Sequence, residues 1–105
     1  MVTVQKQFII ACDIARSQPL ARIAFVCNLP MFRELCRTDI EGAVFHLHTN
    51  RVTFSGGGSI ALVNPREEDM YSRYGATNFT SIFYTEGAVV ECRNRAYLSN
   101  RLRSA

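Results

Sequence analysis

A glycine-lysine phosphate loop is missing from this 105-residue chain, and with it the usual means of cradling a nucleoside triphosphate. Lys6 is the single lysine, and no glycine lies near it in Val4-Gln5-Lys6-Gln7. CxxC pairs are also missing. Cys12, Cys27, Cys36 and Cys92 each sit in apolar runs, which reads as buried free thiols in a reducing compartment. The apolar run over residues 8–15 is too short to span a bilayer, and Asp13 interrupts it with no cleavage region behind. Without secretion, Asn78-Phe79-Thr80 is only a nominal glycosylation sequon, and a cytoplasmic location is expected. No repeat, linker or low-complexity tract divides the sequence, so residues 1–105 read as one domain.

A hydrophobic fraction of 48% and a charged fraction of 20% suffice for one ordinary core and exclude wholesale disorder. The net charge of +3 lies entirely in the C-terminal segment, where Arg93, Arg95, Arg101 and Arg103 face only Glu91. Of the 12 basic residues all but Lys6 are arginine, a fork suited to phosphate or carboxylate, though a solvated helix face explains the same pattern.

Residues 3–16 carry Val4, Phe8, Ala11, Cys12 and Ala15 at helical spacing, and Ile9, Ile10 and Ile14 widen the stripe toward burial on more than one side. Ser17-Gln18-Pro19 ends that helix. Residues 21–27 (ARIAFVC) read as an interior strand and residues 30–38 as a short helix facing the core with Phe32, Leu35 and Cys36. A meander is expected over residues 43–63. A two-residue turn at Thr49-Asn50 sets Leu47 opposite Val52 and Phe45 opposite Phe54, and a loop at Gly56-Gly57-Gly58 sets Phe54 against Ile60 and Val52 against Leu62. Asn64, Pro65 and Glu67 start a capped helix running to Tyr74 and stopped by Gly75. Residues 78–85 (NFTSIFYT) read as a second interior strand, Glu86-Gly87 as a turn, and residues 88–103 as a basic helix. The class is α/β, with parallel interior strands and an antiparallel extension.

Four constellations could carry chemistry. Glycines 56–58 lie between two strands, so a hairpin turn outweighs a phosphate cradle, which needs a helix N-terminus behind it. Cys27 and Arg33 have the cysteine-x5-arginine spacing of thiolate phosphatases, but roughly 0.4 such matches are expected by chance. Leu29 and Pro30 also stand where that loop favours glycine. His46 and His48 share a strand face without an obvious third ligand, so no metal is assigned. Arg93, Tyr97 and Arg101 fall on one helical stripe which, with Arg95 and Arg103, could follow phosphates or dock on an acidic protein.

The runs RVTFSGGGSIALVN and SRYGATNFTSIFYTEGAVV resemble the ATPase domain of viral terminase large subunits, the motors that package DNA into capsids. The likeness rests on the turn Gly57-Gly58-Ser59-Ile60, on Arg73 and Gly75, and on the strand 81–84 followed by Thr85-Glu86 where that family has two acids. CDIARSQPLARIAFVCNLPMFREL resembles the helix and strand that follow the family's phosphate loop. The resemblance implies a P-loop-NTPase-like three-layer sandwich fragment with Glu86 in the place of the water-activating glutamate. Thr85 replaces the metal carboxylate, so autonomous ATP hydrolysis is not expected and no cofactor is assigned. The expected role is a non-catalytic binding module in viral DNA packaging or metabolism, in the host cytoplasm, contacting a packaging enzyme, a host protein or DNA. The alternatives are a small phosphatase using Cys27 and Arg33, and a virion structural or host-inhibitory protein. Self-association through an exposed strand edge is also open.

Overall fold

The computed structural model describes residues 3–37, 39–46, 48–66, 78–85 and 95–102, with the backbone alone at 95–97. Helix α1 (Val4–Ser17) starts at Thr3, whose hydroxyl accepts the Lys6 N–H at 3.2 Å, a standard N-cap. It ends where Gln18, preceding Pro19, turns extended, as the proline ring requires. Phe8, Ala11, Cys12 and Ala15 are buried as their spacing predicts. The widened stripe is buried only in part: Ile14 packs against the core, while Ile9 and Ile10 are 57% and 45% exposed. Only one side of α1 lies on the sheet, and a 100° step per residue turns positions 9 and 10 away from it.

Strand β1 (Arg22–Val26) follows, then α2 (Leu29–Cys36), capped by the Asn28 side chain, which accepts the Met31 N–H at 2.9 Å. Strands β2 (Ala43–His46), β3 (Arg51–Phe54), β4 (Ser59–Val63) and β5 (Ser81–Tyr84) complete one sheet, and helix α3 (Arg95–Asn100) comes last. The strand order is β2-β3-β4-β1-β5. β1 runs parallel to β4 and β5, while β2–β3 and β3–β4 are antiparallel. The fold is therefore mixed α/β with the expected combination of parallel strands and a meander. The strand expected over residues 78–85 is not interior among the described residues. Its ladder is with β1, Phe79 ahead of it makes an isolated bridge to Leu102, and Ser81–Tyr84 are half-buried.

Both hairpins are two residues out of the expected register. Phe45 faces Val52 and Ala43 faces Phe54, so the first loop has four residues, 47–50, and Leu47 lies outside the described residues. Val52 faces Ile60, and the Phe54 N–H donates to the Gly58 carbonyl at 2.9 Å, which moves the second loop to Ser55-Gly56-Gly57. A shift of two leaves every side chain on its own face, so apolar alternation fits either register. Backbone needs decide instead. Asn50 holds φ 49°, and its carbonyl accepts the Leu62 N–H, which joins it to the β4 ladder. In the second loop only Gly57 has positive φ, 112°.

Each face of the sheet has its own core. α1 and α2 cover Ile23, Phe25, Val52, Phe54, Ile60 and Leu62. Phe25 lies in an aromatic group there, edge-on to Phe8 at 5.5 Å and stacked with Phe83 at 6.1 Å. On the other face Phe79 and Leu98 of α3 cover Ala24, Val26, Ala61 and Val63.

Candidate functional site

Open α/β sheets bind ligands beyond the carboxyl ends of their parallel strands, so that rim is where chemistry is first sought. At the end of β1, Cys27 is buried, and burial pushes its thiol up to about 12 from 9.0. A thiolate nucleophile needs the opposite environment. Only Asn28 separates Cys27 from α2, and its side chain is engaged as the helix cap. Arg33 lies exposed in the last turn of α2. The residues of the phosphatase spacing therefore fall along a buried strand end and a helix, not around an open loop.

The end of β5 is closed as well. Thr85 is 6% exposed, its N–H donates to the Val26 carbonyl at 3.2 Å, and its hydroxyl donates to the same oxygen at 3.0 Å. The Gln7 amide crosses from α1 to donate to the Tyr84 carbonyl at 3.1 Å. After β4, the Asn64 side chain accepts the Arg66 N–H at 2.9 Å, as the expected N-cap would. Of the helix expected over residues 64–74 only residues 64–66 are described, and Arg73 and Glu86 lie outside the described residues.

His46 Nε2 and Thr53 Oγ1 share a hydrogen bond at 2.9 Å across β2 and β3, while His48 is exposed in the following turn. Among the described residues no group of three or more His, Cys, Asp or Glu is placed to hold a metal ion. Of the C-terminal cluster, Arg93 and Arg103 lie outside the described residues, and only the backbone is described at Arg95 and Tyr97. Arg101 follows α3 and is half-buried. Its carbonyl accepts the Phe79 N–H at 2.6 Å, which fastens this segment beside the start of β5.

One grouping was not apparent from the sequence. Arg22 is the Cα partner of Ser59, Ser59 of Thr53, and Arg51 of Ala61, so these side chains share the sheet face away from α1. They border a cleft of about 330 Å³. The available signal was period-two alternation, which sets Arg22 apart from Ile23 and Arg51 apart from Val52. What alternation lacked was the strand order that puts β1 next to β4. Comparison with family models, curated proteins and solved structures finds no match to this chain. No helix among the described residues is long and apolar enough to cross a membrane.

Proposed function

We propose that this chain is a non-catalytic binding module built on a terminase-like, P-loop-type α/β core, serving viral DNA packaging or metabolism by contacting a protein partner or DNA. The viral setting comes from the sequence resemblance alone. What supports the non-catalytic part is Thr85. It stands where that family has its first strand-end acid, and its hydroxyl proton is held by the Val26 carbonyl at 3.0 Å in a nearly water-free position. A hydroxyl so engaged makes a poor anchor for a metal-bound water, and it bears no charge with which to hold a cation.

Two measurements on the purified chain test this reading. ATP turnover should stay at background with and without DNA; turnover abolished by Glu86→Ala would refute the non-catalytic assignment. Affinity capture from infected cells, read by mass spectrometry, should recover a packaging enzyme or a nucleic-acid complex. Recovery of capsid proteins alone would instead support a virion structural role.

A further inference from the structure

The sheet face away from α1 changes character along its strands. Ala24, Val26, Ala61 and Val63 form its apolar half, beneath Phe79 and Leu98. Its other half carries Arg22, Ser59, Thr53 and Arg51 around a cleft of about 330 Å³, with Phe79 at the boundary. Arg22 and Arg51 are exposed, and neither guanidinium has an ion pair or side-chain hydrogen bond among the described residues. Arg16, by contrast, is paired with Asp13 on α1. No carboxylate borders the cleft among the described residues.

The two arginines flank β4, one on β1 and one on β3, so their backbones stand roughly 10 Å apart across the sheet, offset by two residues along it. Guanidinium arms of that reach can converge above Ser59 from opposite sides. Without a counter-ion such convergence is repulsive; with an anion between the forks it is favourable. The donor set also indicates which anion. One fork satisfies a planar carboxylate, whereas two forks and the Ser59 hydroxyl, joined by the Thr53 hydroxyl when His46 Nε2 donates to it, supply donors from several directions, as a tetrahedral oxyanion requires.

We propose that Arg22, Arg51, Ser59 and Thr53 form a binding site for a phosphate group on the open half of this sheet face. The site is argued without the C-terminal arginines and stands whether or not the terminase-like reading does. Its phosphate belongs either to a small phosphomonoester or to the backbone of a nucleic-acid strand. The chemistry is the same, and the source follows from the test.

The full chain, labelled with ¹⁵N, would be titrated by NMR first with inorganic phosphate and separately with an oligothymidylate. Saturable shifts are expected at the amides of Arg22, Arg51, Thr53 and Ser59. Saturation by phosphate alone identifies a monoester site, and saturation by the oligonucleotide only identifies a strand site. Arg51→Ala should weaken binding about tenfold, and Arg22→Ala with Arg51→Ala should abolish it. For the oligonucleotide, the slope of log affinity against log salt should fall by about 1 per arginine removed. The proposal is overturned if neither ligand moves these amides at millimolar concentration. It is equally overturned if the double variant, folded by circular dichroism, binds as tightly as the parent.

Discussion

Replacing Gly58 with alanine tests how the β3–β4 loop is seated on α1. A Cβ built at Gly58 falls 1.9 Å from the Ala15 carbonyl oxygen, 2.7 Å from its carbon and 2.9 Å from its Cα. All three are backbone atoms of a helix, so no rotamer change relieves the clash; the loop and α1 must move apart. That movement would strain the hydrogen bond from the Phe54 N–H to the Gly58 carbonyl, 2.9 Å, and open the packing of Ala15. Overpacking a core costs about 1–3 kcal/mol, and a backbone-on-backbone clash belongs near the top of that range. Against a typical total stability of roughly 5–15 kcal/mol, a loss of about 3 kcal/mol is severe. It should lower the melting temperature by roughly 12–24 °C in a domain of this size. Gly56 provides the control. A Cβ there meets the Arg16 carbonyl oxygen at 3.7 Å, an ordinary contact, so Gly56→Ala should be neutral within about 0.5 kcal/mol. Melts followed by circular dichroism at 222 nm would decide. Equal stability of the two variants would refute the close seating of the loop on the helix.

Thr85→Val removes the buried hydroxyl bond while the Val26 carbonyl keeps the Thr85 N–H at 3.2 Å, so a loss of about 1 kcal/mol is expected in urea denaturation. A loss of 3 kcal/mol or more would mean the residue does more than tie β5 to β1. Phe25→Ala leaves a void among Phe8, Phe32 and Phe83 and should cost about 3–5 kcal/mol in urea denaturation. Phe25→Leu should retain a cooperative melt. Burial pushes the Cys12 thiol up to about 11 and those of Cys27 and Cys36 up to about 12, each from 9.0. The folded chain thus holds these protons more tightly than the unfolded one. Their contribution is full below about pH 9 and is lost as pH rises toward 11 and 12, so the urea midpoint should fall over that window. A midpoint unchanged from pH 8 to pH 11 would contradict this, as would rapid alkylation of Cys27 in the native protein at pH 8.

Legibility in the sequence followed the strength of the local pattern. Helix α1 could be read because Phe8, Ala11, Cys12 and Ala15 repeat at helical spacing and Pro19 stops them; β1 could be read because five consecutive residues tolerate burial. The meander could be read as a meander because alternation fixes faces. Its register could not, since a shift of two residues is invisible to alternation. Ile9 and Ile10 misled for a related reason: hydrophobicity states what a side chain prefers, while the number of surfaces against a helix states what it receives. The arginine face was the least legible part. Arg22 and Arg51 are 29 positions apart and carry no local motif. The parallel pairing of β1 with β4 brings them to one face, and such long-range pairing leaves no trace in a window of ten residues.

Sheet topology also bears on where binding can occur. At the carboxyl rim the polar groups of Asn28, Thr85 and the Gln7 side chain each bond within the fold, to Met31, Val26 and Tyr84. A ligand arriving there would have to displace these bonds, and each exchange would recover roughly what it gives up. Arg22 and Arg51 pose the opposite situation. Their guanidinium groups bond to nothing among the described residues, so an anion gains their donors without breaking an existing protein contact. Solvation of exposed arginines opposes that gain only modestly compared with the rupture of a buried bond. The difference predicts that phosphate-induced changes will concentrate at Arg22, Ser59, Thr53 and Arg51, leaving the amides of Cys27, Asn28 and Thr85 unmoved. A titration in which the rim residues shift first would place the ligand at the strand ends and remove the argument from the arginine face.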